Sequence, residues 1–236
     1  MHTRVDLVAR PGPDGGTVLE RLAGSGQLAA RQTGRDTVHL VGTAAGPLGG
    51  DRVHIAITVH SGASLSVRSA AASVVLPGLT DAVAVVALEA TVEDGGELDV
   101  ALEPTVVAAG AMLESSVTFH LAGAARVRHR EEVTLGRWRE PAGTWRGTCS
   151  ADRSGMPLLR HTLCVGPGSP DWVAPHDHRA LLTEHRLGGP TPQHAAAATS
   201  GDAVAMPLAA GGLVVTAVAS GLAMARHDAD RVLRRR

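Results

Sequence analysis

Hydrophobic and polar residues alternate with a period of two along most of the chain. The clearest case is residues 52–60, where Val53, Ile55 and Ile57 fall on one face of an extended segment and polar side chains on the other. After a break, the alternation resumes over residues 64–69. The pattern predicts two half-buried strands, and the short break between them predicts a hairpin.

Two longer pairs of segments repeat this arrangement. Residues 84–93 and 97–107 flank a turn at residues 94–96 that contains two glycines. Residues 112–121 and 125–135 flank a second short, glycine-containing break. Because glycine supplies the positive φ of a tight turn, each pair is predicted to form a hairpin.

A fourth hairpin is predicted from residues 144–149 and 158–164, closed by the turn sequence SGMP at residues 154–157. If that turn is centred between its third and fourth residues, Cys149 and Cys164 lie directly opposite each other. A slip of one residue would separate them. An oxidised pair or a soft-metal site is an alternative, but two small buried hydrophobic residues are the simpler interpretation.

The C-terminus is the segment with a helical period. Its apolar residues share one face, and arginines follow at the end that a helix dipole makes negative; those apolar residues are Leu222, Ala225, Ala229, Val232 and Leu233. The uncharged run at residues 203–225 is long enough to cross a bilayer, but one proline and three glycines interrupt it. Its dense apolar part, residues 213–218, has strand length, so a buried strand followed by a helix is predicted. The whole chain, residues 1–236, is predicted to be one mostly β domain.

Composition removes several classes of function. All 22 basic residues are arginine, which excludes a catalytic lysine, Schiff-base chemistry and the lysine of a phosphate-binding loop. Aromatic residues make up 2% of the chain and the formal net charge is -1, so neither stacking on bases nor a field that attracts nucleic acid is expected. The N-terminal segment has no apolar core of a secretion signal, and the expected location is the cytoplasm, with no membrane partner.

The motifs of common enzymes are missing from the sequence. It contains no GxSxG, HExxH or CxxC, and the chain is therefore expected not to be an enzyme. The one local cluster of metal-binding residue types is His176, Asp177 and His178, with His185 beyond it. On an extended segment, two histidines separated by one residue can point the same way and hold a divalent ion. Flanking prolines favour a surface loop instead, and both interpretations stay open.

Two groups of charged residues lie on polar faces of predicted strands. The acidic group is Glu89, Glu93, Glu97, Asp99 and Glu103, and the basic group is Arg126, Arg128 and Arg130. A solvated face is the favoured interpretation of both groups. The alternatives are cation binding by the carboxylates and a protein interface along the arginines.

A rigid turn precedes the first clean strand. In the sequence GPLGGD, Pro47 fixes φ, Gly49 and Gly50 allow conformations that other residues avoid, and Asp51 can accept hydrogen bonds from its own backbone. This turn is a candidate family motif and the start of a longer resemblance.

The chain resembles the urease accessory protein family UreD, also called UreH. The similarity covers nearly the whole chain in order, which is more specific than any one motif. The matching segments are Gly49, Gly50 and Asp51, then residues 52–60, 62–75, 98–111, 135–137 (LGR), 154–158 and 206–215.

The resemblance implies a non-enzymatic maturation factor with coiled, β-helix-like mixed sheets and a short C-terminal helix. It implies that the chain bridges apo-urease to a helical partner, UreF, and to a nickel-carrying GTPase, UreG, and that it supports nickel insertion. No tightly bound cofactor is expected, and nickel would be held only in passing. The alternatives are a metal-dependent hydrolase that uses His176, His178 and His185, and a non-catalytic β binding module.

Overall fold

The chain is mostly β, as predicted. A computed structural model describes residues 1–80, 82–169, 178–188 and 197–234. The first strands are β1 (His2–Pro11), β2 (Thr17–Ser25), β3 (Leu28–Gln32), β4 (Thr37–Gly42), β5 (Arg52–Val59), β6 (Ser64–Ser69), β7 (Ser73–Val75), β8 (Ala84–Val92) and β9 (Glu97–Ala101). They are followed by β10 (Thr105–Val107), β11 (Met112–Leu121), β12 (Arg126–Leu135), β13 (Thr144–Arg153), β14 (Met156–Val165), β15 (Ala180–Leu187), β16 (Ala198–Ser200), β17 (Ala203–Pro207), β18 (Gly212–Ala219) and the helix α1 (Leu222–Arg234).

The described strands form two mixed sheets. The first sheet has the order β14-β13-β11-β8-β5-β1-β2, and its strands from β13 to β1 are parallel. The main path of the second sheet is β16-β17-β18-β15-β12-β9-β6-β4-β3, in which β12, β9, β6 and β4 are parallel. From β5 to β13 the chain passes back and forth between the two sheets. This arrangement is a β-solenoid with two main walls, and the predicted coiled, mixed sheets are confirmed.

Three of the four predicted hairpins are wrong. Strand β5 pairs with β1 and β8 in the first sheet, whereas β6, which follows it after a short turn, pairs with β4 and β9 in the second sheet. The same separation holds for β8 and β9 and for β11 and β12. The short turns therefore close arches, in which each strand bonds to strands of neighbouring coils. The fourth hairpin, β13 with β14, is confirmed.

The register of that hairpin differs from the conditional expectation for the cysteines. The turn lies at Ser154 and Gly155, whose φ angles are 50° and 83°, and the pairing shifts at a bulge after Ala151. Cys149 consequently faces His161 across the strands, and Cys164 faces Arg146. Both thiols are free, and burial raises the pKa of Cys149 to about 12, in keeping with a small buried hydrophobic residue.

Apolar residues from successive coils stack in rows between the sheets. One row across the first sheet consists of Val5, Ile55, Leu88, Val117 and Cys149, which are register partners from strand to strand. All five are buried. Burying side chains of this size contributes about 1.5–3 kcal/mol for each large aliphatic residue, so the stacked rows stabilise the coil.

Helix α1 covers the outer face of the second sheet and confirms the predicted C-terminal helix. Ala225, Ala229 and Val232 are buried in a cluster that also contains Leu182 and Val215. Within the run at residues 203–225, the predicted buried strand at residues 213–218 lies in β18 and leads to α1, whereas strand β17 was not predicted. Among the described residues, no helix combines the length and hydrophobicity that a membrane span requires.

Candidate functional site

The family-motif turn is built by close backbone packing. The amide of Asp51 donates to the carbonyl of Leu48 at 2.9 Å, and Gly50 has a φ of 90°. A side chain at Gly49 would place its Cβ 2.4 Å from the carbonyl oxygen of Ala82 and 2.7 Å from the amide nitrogen of Gly78. Glycine at this position is therefore required by the contact between adjacent coils.

The carboxylate of Asp51 is satisfied within the chain. It accepts hydrogen bonds from Gln27 Nε2 at 2.5 Å and from the amide of Leu48 at 2.9 Å, and the α-amino group of Met1 also contacts it. Burial alone would raise the pKa of Asp51, but these hydrogen bonds outweigh burial and lower it. In this structure Gly49, Gly50 and Asp51 form a corner of the solenoid.

A cavity of about 430 Å³ lies between the two sheets. Much of its wall is apolar, with contributions from Val53, Leu88 and Leu113 on the first sheet. The polar groups of the interior wall include His129 and Glu131 on β12 and the nearby Ser115 on β11. A mostly apolar cavity with a few convergent polar groups is a typical binding site, and it is the principal candidate in this protein.

Glu131 is the carboxyl group of that wall. Its Oε1 accepts a hydrogen bond from Ser115 Oγ at 2.7 Å, and Ser115 Oγ in turn accepts one from Trp145 Nε1 at 3.0 Å. Burial raises the pKa of Glu131, and the hydrogen bond from Ser115 only partly opposes that rise. A carboxyl group of this kind can exchange its proton for a cation that enters the cavity.

Three histidines approach one another beside the cavity. His129 Nδ1 lies 3.3 Å from His185 Nδ1 with the two rings inclined by 12°, and the ring centroid of His161 is 5.8 Å from that of His185. Desolvation lowers the pKa of His129 to about 4 and that of His185 to about 3, and it also lowers the pKa of His161. All three imidazoles are therefore neutral at pH 7. No group of three or more His, Cys, Asp or Glu in the described parts of the chain could hold a metal ion.

The described residues include only part of the predicted histidine cluster. His176 and Asp177 lie outside the described residues. His178 Nε2 lies 3.2 Å from Asp202, near the start of β17, whereas His185 is buried between the sheets beside His129. His178 precedes β15, and His185 lies seven positions further along largely extended chain, roughly 20 Å away, so the two histidines do not meet.

The arginine stripe on β12 bonds to carboxylates of its own chain. Arg128 Nη2 and Arg130 Nε donate to Glu184 Oε2 at 2.9 and 2.8 Å, and Arg126 lies 3.4 Å from Glu97. Burial would raise the pKa of Glu184, but the hydrogen bonds and charges of Arg128 and Arg186 outweigh burial and lower the pKa to about 2. The stripe is thus one side of an ion-pair ladder within the second sheet.

The solenoid walls and the mostly apolar cavity define a β-solenoid protein with a candidate interior binding site. A family model for the UreD urease accessory protein matches residues 1–235. Among curated proteins, urease accessory protein UreD of Streptomyces coelicolor is 38% identical, covering 96% of this chain and 93% of that protein. UreD 3 of Streptomyces griseus is 37% identical, covering 99% and 97% respectively. UreD of Frankia alni is 43% identical over 59% of this chain and 52% of its own length.

The chain belongs to the UreD family of urease accessory proteins, which confirms the resemblance drawn from its motifs. Members of this family take part in urease maturation and are not enzymes. The interior groups must therefore be understood as parts of a binding protein, and not as a catalytic set.

Proposed function

We propose that this chain, acting in the cytoplasm as one domain over residues 1–236, holds apo-urease together with UreF-like and UreG-like proteins and supports nickel insertion into the urease active site. Its family membership supports the urease part of the proposal. The observation that carries the nickel part is the cavity between the sheets, with Glu131 in its wall.

The groups of this wall suit a cation in transit. Ni²⁺ accepts oxygen and imidazole ligands, and Glu131, Ser115 and His129 offer both kinds. The described residues hold no group of three that would trap an ion. A cargo ion has to be released, so a single exchangeable carboxyl group in a mostly apolar wall fits transfer better than storage. When the ion binds Glu131, the proton of the carboxyl group has to leave.

The nucleotide chemistry of this assembly would reside in another chain. The sequence contains no lysine, and a phosphate-binding loop of an NTPase needs one. A UreG-like GTPase therefore complements what this chain lacks, and this chain supplies a rigid β framework on which the other proteins meet.

The test is Glu131→Gln in a host that co-expresses urease and its accessory proteins. Glutamine keeps the shape but cannot exchange a proton for Ni²⁺, so we expect purified urease to contain several-fold less nickel by elemental analysis. Glu114→Gln is the matched control, because Glu114 is exposed and lies on the outer face of β11, the strand that carries Ser115 on its inner face. Affinity purification of the assembly should be unchanged in both variants.

The nickel part of the proposal fails if Glu131→Gln yields urease with the nickel content of the wild type and of Glu114→Gln. The assembly part fails if the wild-type chain retains neither apo-urease nor an accessory protein during affinity purification.

A further inference from the structure

Three exposed apolar side chains lie along one edge of the solenoid. Leu48 precedes the family-motif turn, Leu79 lies in the loop between β7 and β8, and Trp138 lies in the loop between β12 and β13. The exposed fractions are 40% for Leu48, 108% for Leu79 and 88% for Trp138. We call this edge the apolar corner.

Parallel pairing brings these three positions to the same end of neighbouring strands. Leu48 forms a bridge with Leu76, and Val107 of β10 pairs with Val75 of β7 on one side and Leu135 of β12 on the other. The ends of β7 and β12 are thus two strand spacings apart, about 10 Å. One helix or one extended segment of a partner protein is long enough to cover the apolar corner.

The charge beside Trp138 is positive. Arg137 pairs with Glu140 at 2.5 Å, and Arg179 donates to the backbone carbonyl of Glu140. Arg139 lies with its guanidinium carbon 5.7 Å from the centre of the Trp138 ring and makes no ion pair within the part of the chain that the structure describes. Three arginines therefore accompany one glutamate at this loop, which favours a partner with carboxylates.

The backbone of Arg139 is itself strained. Its φ of 60° lies in the left-handed region, which residues other than glycine, asparagine and aspartate rarely adopt. Arg139 is the third residue of a turn that the amide of Glu140 closes by donating to the carbonyl of Arg137 at 3.1 Å, and a positive φ at this position is a feature of such turns. The turn holds the guanidinium of Arg139 near the exposed Trp138 ring, so the cation and the ring are presented to solvent together.

We propose that the apolar corner docks an acidic, amphipathic segment of one of the proteins with which the chain assembles, with Trp138 as the anchor and Arg139 as the charged contact. Tryptophan and arginine are the residue types that most often dominate binding at protein interfaces. This inference rests on the proposed function, because that function supplies the partner, and it adds the surface and the chemistry of the contact.

The first test compares Trp138→Ala with Met156→Ala in affinity measurements on the wild-type assembly partners. Met156 is 73% exposed but lies at the opposite edge, next to the turn between β13 and β14, so it is a matched control. We expect Trp138→Ala to weaken the binding of one partner about 30-fold and Met156→Ala to leave every affinity unchanged. Both side chains are exposed, so both variants should keep the wild-type far-ultraviolet circular dichroism.

The second test uses Arg139→Gly, which separates recognition from stability. Glycine adopts a φ of 60° without strain, so we expect this variant to unfold at the same temperature as the wild type or at a higher one. It should nevertheless bind the partner more weakly, and its affinity should depend less on salt.

Equal affinity of the wild type, Trp138→Ala and Arg139→Gly for every partner would overturn the proposal. So would a Trp138→Ala variant that only loses self-association, since the occupant would then be a second copy of the chain. If the wild type itself binds no partner, the proposed function fails, and that outcome is distinguishable because it appears before any substitution is made.

Discussion

The two edges of the solenoid connect the same two sheets, one by short turns and the other mainly by longer loops, at residues 43–51, 76–83 and 136–143. At one edge, the turns at residues 60–63, 93–96 and 122–125 are each closed by a backbone hydrogen bond of 2.9–3.0 Å. Side chains also tie one turn to the next, since Glu93 contacts His60 at 3.0 Å and Asp94 accepts from the amide of Ala124 at 2.7 Å. We call this edge the glycine corner, because each of its turns contains a glycine with positive φ.

The apolar corner has equally close backbone contacts but different side chains. Gly49 approaches Gly78 and Ala82 too closely for any larger residue, as the turns of a well-packed coil should. From the same edge, Leu79 and Trp138 project into solvent. Backbone packing therefore holds both edges, whereas the apolar corner also carries three exposed apolar side chains on neighbouring coils that are available for contact with other molecules.

The largest loss of stability is expected where backbone atoms of adjacent coils pack at the apolar corner. Gly49→Ala forces a Cβ against backbone atoms of the adjacent coil and should lower the free energy of unfolding by on the order of 3 kcal/mol. Gly62→Ala at the glycine corner meets no atom within 4 Å and should cost about 1 kcal/mol, from its φ of 72° alone. Urea denaturation of both variants measures the difference. Equal losses would mean that coil contact at Gly49 does not determine stability.

The second largest effect is a loss of stability at low pH, caused by the histidines of the interior between the two corners. His129 and His185 have folded pKa values of about 4 and about 3, below the value of about 6.5 that imidazoles have in an unfolded chain. The unfolded chain therefore binds more protons as the pH falls below about 6.5, and stability present above that pH is lost on acidification. Between pH 6.5 and 5 the two histidines together should lower the free energy of unfolding by on the order of 3 kcal/mol.

Urea denaturation of His185→Gln over the same pH range tests whether the interior histidines cause this pH dependence of the unfolding free energy. Glutamine has no titrating group, so the pH dependence should become shallower even if the variant is less stable throughout. His54→Gln, on the outer face of the first sheet, is the control and should keep the wild-type slope. A slope for His185→Gln that matches the wild type would remove the interior histidines as the cause.

The spacing of hydrophobic and polar residues predicted most of the strands and the C-terminal helix. It could do so because the residues that face the core recur every second position in a strand and every 3.6 positions in a helix. For β5, the predicted segment 52–60 and the observed Arg52–Val59 differ by one residue. The neighbours of each strand were not predictable in this way. A short turn that contains glycine can close either a hairpin or an arch. In a hairpin the two flanking strands bond to each other, and in an arch each bonds to a strand one coil away, so the turn sequence alone does not determine the partners.

The interior site was missed for a related reason. Glu131 meets Ser115 across the space between the two sheets, and His129 meets His185, 56 positions away in the sequence, through the pairing of β12 with β15. One local signal was present, since His129 and Glu131 share their strand face with Val127 and Val133. A polar residue on an otherwise apolar face is typical of a group that the interior uses.

The smallest loss of stability is expected at the glycine corner, whose side-chain contacts should contribute to stability and not to partner binding. Glu93 accepts hydrogen bonds from the amide of Ser61 at 3.0 Å and from His60 at 3.0 Å, and the Ser61 bond is the main reason that the pKa of Glu93 is lowered. Because the Glu93 side chain is 41% exposed and solvent screens its contacts, Glu93→Ala should cost about 0.5 kcal/mol of unfolding free energy near pH 7, and this cost should shrink as the pH falls below the unfolded pKa of about 4.3.

Glu89→Ala is the control for that measurement, because Glu89 is exposed and its two histidine contacts are 3.8 and 3.9 Å long. It should be nearly neutral for stability. Neither variant should alter binding to urease or to the accessory proteins, since both residues lie away from the apolar corner. If Glu93→Ala weakened partner binding while Trp138→Ala did not, the assignment of the two edges would have to be reversed, with the hydrogen-bonded turns forming the recognition surface.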